Sequence, residues 1–138
     1  MKTQILKEIL KKAVSVVERA TVKNPTLPTL AAIALVADKN TLELSATDLE
    51  IGIRYKLLAK TTKEGNVVVP SRLFSQLVDV LPEREITLNL EGGELRVESK
   101  EHETNLKTLA MDDFPLIPSL QGSEESIDIE VRVFCEAL

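Results

Sequence analysis

A repeat inside the chain constrains its fold more than any other feature. Residues 5–17 read Ile-Leu-Lys-Glu-Ile-Leu-Lys-Lys-Ala-Val-Ser-Val-Val, and residues 69–81 read Val-Pro-Ser-Arg-Leu-Phe-Ser-Gln-Leu-Val-Asp-Val-Leu. Placed 64 residues apart, their apolar positions coincide: Ile9 with Leu73, Leu10 with Phe74, Ala13 with Leu77, Val14 with Val78, Val17 with Leu81. Each set repeats at i, i+1, i+4, i+5 and i+8, the spacing of one helical face. Each copy therefore predicts a short strand running into an amphipathic helix. The first helix is expected to end near Ala20, ahead of Asn24-Pro25. The second is expected to run from about Ser71 to Leu81, because Pro82 cannot continue it and restrains the residue before it.

The segments after the two helices repeat as well. Residues 30–36 and 41–45 flank a turn at Asp38-Lys39-Asn40, and residues 86–90 and 94–98 flank Gly92-Gly93. The Gly-Gly pair suits a tight hairpin, since both positions can take positive φ. A third strand is expected in each half, around residues 51–58 and 105–110. The plan is strand–helix–strand–strand–strand, performed twice, with two helices on one face of antiparallel sheet: an α+β domain. Its expected extent is residues 1–118. The alternating stretch 127–131 predicts another strand, and Val133, Phe134, Ala137 and Leu138 reproduce the spacing of Leu73, Phe74, Leu77 and Val78. Residues 119–138 thus read as a linker (119–125) and the truncated start of a second such domain in a longer repeat protein.

Aromatics make up 3% of the 138 residues, with no Trp, so Leu, Ile, Val and Ala must build the core. Cys135 is the only cysteine, which excludes an internal disulfide and fits a cytoplasmic setting. Its place beside Phe134 reads as a core position in the truncated helix. Neither a signal peptide nor a membrane-spanning run is present. Net charge is −5, but it is unevenly spread. Residues 1–25 hold Lys2, Lys7, Lys11, Lys12, Arg19 and Lys23 against only Glu8 and Glu18, whereas residues 91–138 hold twelve acids against four bases.

The chemistry-bearing residues do not assemble into an enzyme. His102, the only histidine, stands in the charged run Lys100-Glu101-His102-Glu103 and reads as a solvated loop residue. Asp48 and Glu50 lack the further His or Asp that would complete a metal set; Asp48 reads as a turn residue bonding nearby backbone N–H groups, supported by Thr47. No glycine-rich phosphate loop of standard spacing occurs, and no cofactor is expected.

Five stretches, in order along the whole chain, carry a resemblance: Asn24-Pro25-Thr26-Leu27-Pro28-Thr29-Leu30, Ala46-Thr47-Asp48-Leu49-Glu50-Ile51, Val69-Pro70-Ser71-Arg72-Leu73-Phe74, Leu81-Pro82-Glu83 and Asp113-Phe114-Pro115. With them the chain resembles the amino-terminal domain of the β subunit of bacterial DNA polymerase III, the processivity clamp. The resemblance implies the DNA-clamp fold and a non-catalytic role. In that family three such domains form a subunit, and two subunits join head to tail as a ring around duplex DNA. Helices line the hole, and sheets form the outer wall and the subunit contacts. The replicative polymerase and clamp loader are implied partners, through parts of the full-length protein outside this chain.

A clamp must hold DNA without pausing at any sequence, so long flexible cations meeting phosphates suit it better than base readout. By resemblance the DNA-facing candidates are Lys7, Lys11 and Lys12 on the polar side of the first helix, Lys23 in the loop after it, and Arg72 opening the second. Leu106 and Leu109 are the subunit-interface candidates. The chain departs from the family at Lys23-Asn24, where an arginine is common, and at Asp79, where another cation is. It departs again at Glu101 and Glu103, where bases can precede the interface strand. A structural or interaction domain of the same fold that does not contact DNA is the alternative reading.

Overall fold

The computed structural model describes residues 1–82, 84–118 and 128–138. The first unit is β1 (Lys2–Leu6), α1 (Lys7–Val17), β2 (Ala32–Asp38), β3 (Thr41–Thr47) and β4 (Gly52–Leu58). A short strand, β5 (Lys60–Lys63), comes next. The second unit is β6 (Gly65–Pro70), α2 (Ser71–Val80), β7 (Glu85–Glu91), β8 (Glu94–Glu98) and β9 (Glu103–Lys107). The duplicated strand–helix–three-strand plan is therefore present, with β5 as an addition that the repeat does not contain.

The two units exchange their first strands. One sheet has the order β5-β1-β7-β8-β9 and the other β4-β3-β2-β6, all antiparallel. Thus β1 pairs with β7 of the second unit, Ile5 opposite Ile86, and β6 pairs with β2 of the first, Val69 opposite Ile33. This reciprocal exchange ties both halves into one core. It holds Ile5 and Leu10 from the first strand and helix, Phe74 and Val78 from α2, and apolar residues of both sheets, including Ile33, Leu44, Ile86, Leu88 and Leu95.

The pairs matched in the sequence share environments. Leu10 and Phe74 are fully buried, Val14 and Val78 nearly so, and Val17 and Leu81 lie in the core. Ala13 is buried, and its counterpart Leu77 packs against the core partly buried. Ile9 and Leu73 depart from the expected face: they are 39% and 54% exposed. As the first position, i, of each set they stand one residue before Leu10 and Phe74, which carries them round the flank of the helix, so the burying stripe is narrower than the apolar pattern.

Local chemistry sets the turns. Gly92 and Gly93 both have positive φ, 60° and 83°, as a tight hairpin between right-twisted strands requires. Leu49 has φ 78° without being glycine. Thr47 and Asp48 hold it there. The Asp48 Oδ1 accepts from the N–H groups of Glu50 (2.9 Å) and Ile51 (2.8 Å), and Thr47 Oγ1 accepts from Leu49 N–H and donates to the Ile51 carbonyl. These backbone bonds, from Ile51 foremost and then Glu50, hold the Asp48 carboxyl below its ordinary pKa.

Strand β2 is buried on both faces. Ile33, Leu35 and Ala37 meet the main core, while Ala32 and Ala34, with Val68, form a second cluster under Leu109, Met111 and Phe114. The segment after β9 thus straps across the outer face of the four-stranded sheet. Leu109 N–H donates to the Val68 carbonyl at 2.9 Å, and the Arg54 guanidinium donates to the Ile117 carbonyl.

The C-terminal expectations are only partly met. A third helix, α3 (Val131–Ala137), is present, but residues 128–130 form no strand and residue 127 lies outside the described residues, as does the expected linker 119–125. Cys135 is exposed rather than in a core, because nothing among the described residues covers α3. Among the described residues no helix is long and apolar enough to cross a membrane, and no cluster of His, Cys, Asp or Glu could hold a metal ion.

Candidate nucleic-acid interface

Helices α1 and α2 lie antiparallel, and polar contacts along their seam decide which cations are available. At one end, the Lys7 ammonium donates to the main-chain carbonyls of Asp79 (3.1 Å) and Leu81. Those carbonyls stand at the C-terminal end of α2, Asp79 in its last turn and Leu81 just past it, where backbone acceptors lack helical partners and the helix dipole is negative. Lys7 is half-buried and serves as a cap for α2, rather than standing in solvent as its place on the polar side suggested. One turn on, Lys11 Nζ lies 2.9 Å from Asp79 Oδ1, with both side chains about half exposed. Hydrogen bonding to Asp79, reinforced by its charge, raises the Lys11 pKa. Asp79, the departure noted in the sequence, thus engages the first two lysines of α1.

At the other end the balance reverses. Past Val17 the chain tightens into a short 3-10 turn, Glu18–Ala20, closed where Thr21 N–H and Oγ1 both donate to the Glu18 carbonyl. The loop after it returns through Val22 N–H to the Leu30 carbonyl (2.8 Å). Between this loop and the start of α2 is a cleft of about 840 Å³ lined by Ser15, Glu18, Arg19, Lys23, Asn24, Ser71 and Arg72, among others. The Glu18 carboxylate accepts from Ser75 Oγ of α2 at 2.9 Å. Arg19, Lys23 and Arg72 are all exposed and line it together. Lys12 is exposed too, three residues before Ser15 and so on the cleft side of α1.

The structure therefore gathers Lys23 and Arg72 into one cationic cleft, sets Lys12 close by, and places Lys7 and Lys11 at the far end of the seam against Asp79. Arg19 was missed as a site residue, although it stands seven residues after Lys12 and therefore on the same helical side. Ser71 carries no signal in the sequence beyond a helix start.

Leu106 and Leu109 point inward. Leu106 is 9% exposed in the main core, and Leu109 packs half-buried on the second cluster. What β9 offers outward is its position at the edge of the five-stranded sheet. Glu103, at its start, lies 3.3 Å from Arg96 Nε of β8, so its charge is met within the chain. His102 is an exposed loop residue whose carbonyl accepts from Ser99 N–H.

The family profile described as DNA polymerase III beta subunit, N-terminal domain, matches residues 1–118. The chain belongs to this family. A beta sliding clamp of Vibrio harveyi is 37% identical over 131 residues, covering 91% of this chain and 88% of that sequence. One from Micrococcus luteus is 28% identical, covering 93% of this chain and 41% of its own length. The sliding clamp of Caulobacter crescentus superposes with a TM-score of 0.82 at 29% identity, over 87% of this chain and 33% of that one. The DNA polymerase III subunit beta of Pseudomonas aeruginosa gives 0.81 at 30% identity, over 89% and 34%. This β-subunit domain spans between 31% and 41% of the length of the curated relatives that head the comparison.

Proposed function

We propose that this chain is the first domain, residues 1–118, of a processivity clamp, followed by a linker and the start of a second clamp domain. In this reading the parent closes head to tail as a homodimeric ring around duplex DNA. It tethers the replicative polymerase, is placed on DNA by a clamp loader, and catalyses nothing itself. The observation that carries the reading is the family match over residues 1–118, on a fold that brings Lys23 of the loop after α1 and Arg72 of α2 to one cleft and leaves Lys12 of α1 exposed. These cations, with Arg19, are the DNA-facing set. Lys11 would join them when Asp79 releases it, and Lys7 supports the helix pair from within. Contacts of this kind meet phosphates and carry no sequence preference. The subunit contact falls to the edge of β9, with Leu106 fixing that edge from behind, while Leu109 anchors the segment after it on the four-stranded sheet.

Primer extension with the parent protein, its loader and its polymerase tests the reading. With unlabelled trap DNA in excess, product length should rise severalfold when the clamp is present. Lys12→Glu, Lys23→Glu and Arg72→Glu together should shorten the products again. Unchanged product length with loaded parent protein would refute tethering.

A further inference from the structure

We infer that the head of α2 is a seat for one phosphate group. The first-turn amides of α2, the Ser71 hydroxyl and the Arg72 guanidinium would hold it, with Arg19 and Lys23 closing the cleft around it. Helix α2 has ten residues and begins directly after Pro70, whose ring carries no acceptor, and no side chain caps it. Its leading N–H groups and the positive end of its dipole therefore meet the cleft without a protein anion to satisfy them. The second observation is independent. Ser71 is 3% exposed, lines the cleft, and its Oγ is buried with no hydrogen-bond partner among the described residues. A buried hydroxyl left unpaired is costly and therefore uncommon, and here it stands beside uncapped amides.

The surrounding charge selects an anion. Arg19, Lys23 and Arg72 line the same cleft against one carboxylate, Glu18, which already accepts from Ser75. None of the residues that line it is aromatic, so no ring is available to stack a base, and the recognisable part of a ligand is its phosphate. A guanidinium beside backbone amides suits a tetrahedral oxyanion with several acceptors. The seat does not depend on the clamp reading, because free phosphate and a phosphodiester in a DNA strand present the same oxygens.

The test is a titration of the 138-residue chain with inorganic phosphate at constant ionic strength, read by amide chemical shifts. Saturable shifts should centre on Ser71, Arg72 and Leu73. Ser71→Ala should weaken the fitted affinity about tenfold, the loss expected for one hydrogen bond to a charged group. Arg72→Gln should weaken it at least as much, and Lys60→Gln should leave it unchanged. Shifts that never saturate, or that persist undiminished in both Ser71→Ala and Arg72→Gln, would overturn the seat. A short duplex then distinguishes the source. If it shifts the same amides and phosphate competes, the seat takes a strand phosphate. If phosphate saturates the seat and duplex leaves it untouched, the seat stands as one for free phosphate and this cleft is removed from the DNA path. Duplex binding elsewhere with no response to phosphate would overturn the seat and leave the clamp reading intact.

Discussion

Adjacent positions on α2 give a sharp test of how the repeat packs. Phe74 is fully buried in the core, whereas its neighbour Leu73 is 54% exposed, although both are apolar and both match an apolar residue of α1. Truncating Phe74 to Ala removes a whole ring from a fully buried site in the main core. The expected cost is about 3–5 kcal/mol, from lost transfer free energy and the cavity left behind. Leu73→Ala removes a side chain already half in water and should cost no more than about 1 kcal/mol. Urea unfolding of the two variants and the unaltered chain, followed by far-UV circular dichroism, supplies both values from the midpoints if the slopes agree. Leu10→Ala and Ile9→Ala should repeat the contrast on α1. A Phe74→Ala loss below about 1 kcal/mol, or a Leu73→Ala loss equal to it, would refute the assignment of the helix face.

Single sites give three further outcomes. The Asp48 carboxyl is held below its ordinary pKa in the folded chain, so the stability it contributes is present above the unfolded carboxyl's pKa. That stability is lost as pH falls through the lowered folded value; Asp48→Asn should therefore be less stable at neutral pH, with the gap closing in acid, as read by thermal melts across pH. A Cβ on Gly52 would come within 2.8 Å of Ile117 Cγ2, so Gly52→Ala should loosen the strap after β9; faster amide exchange at Leu109, relieved in Gly52→Ala/Ile117→Ala, is the expected result. Asp79→Asn should release Lys11, raise duplex affinity at low salt and steepen its salt dependence by up to about one phosphate contact, measured by fluorescence anisotropy.

The architecture was legible because both halves repeat a pattern with a single geometric solution. Leu10 with Phe74 and Val14 with Val78 announced matching helices, and Gly92-Gly93 announced its hairpin. Periodicity alone did not fix the edges of the buried stripe: Ile9 and Leu73 are apolar yet lie on the flank, where the helix turns away from the sheets. The extra strand β5, Lys-Thr-Thr-Lys, carries no apolar alternation; it is a strand because β1 presents an open edge. The site was harder to read. Lys7 is solvent-facing by helical position, and only the approach of residues 79–81 turns it into a cap. Ser71 gains interest from an unpaired hydroxyl, which depends on its neighbours in space. Lys23 and Arg72 lie far apart in the chain, and the antiparallel seam of α1 and α2 brings them to one cleft.

The most direct test of the clamp reading is how long the parent protein stays on DNA of different topology. Loaded onto nicked circular duplex and moved to moderate salt, it should remain bound for many minutes, because release requires a ring interface to open rather than a few phosphate contacts to break. Linearising the circle with a single cut should release it within the time of the measurement, by sliding off the ends. Equal retention on circular and linear DNA, or loss from both at the same rate as salt rises, would contradict an encircling clamp and indicate binding by local affinity alone.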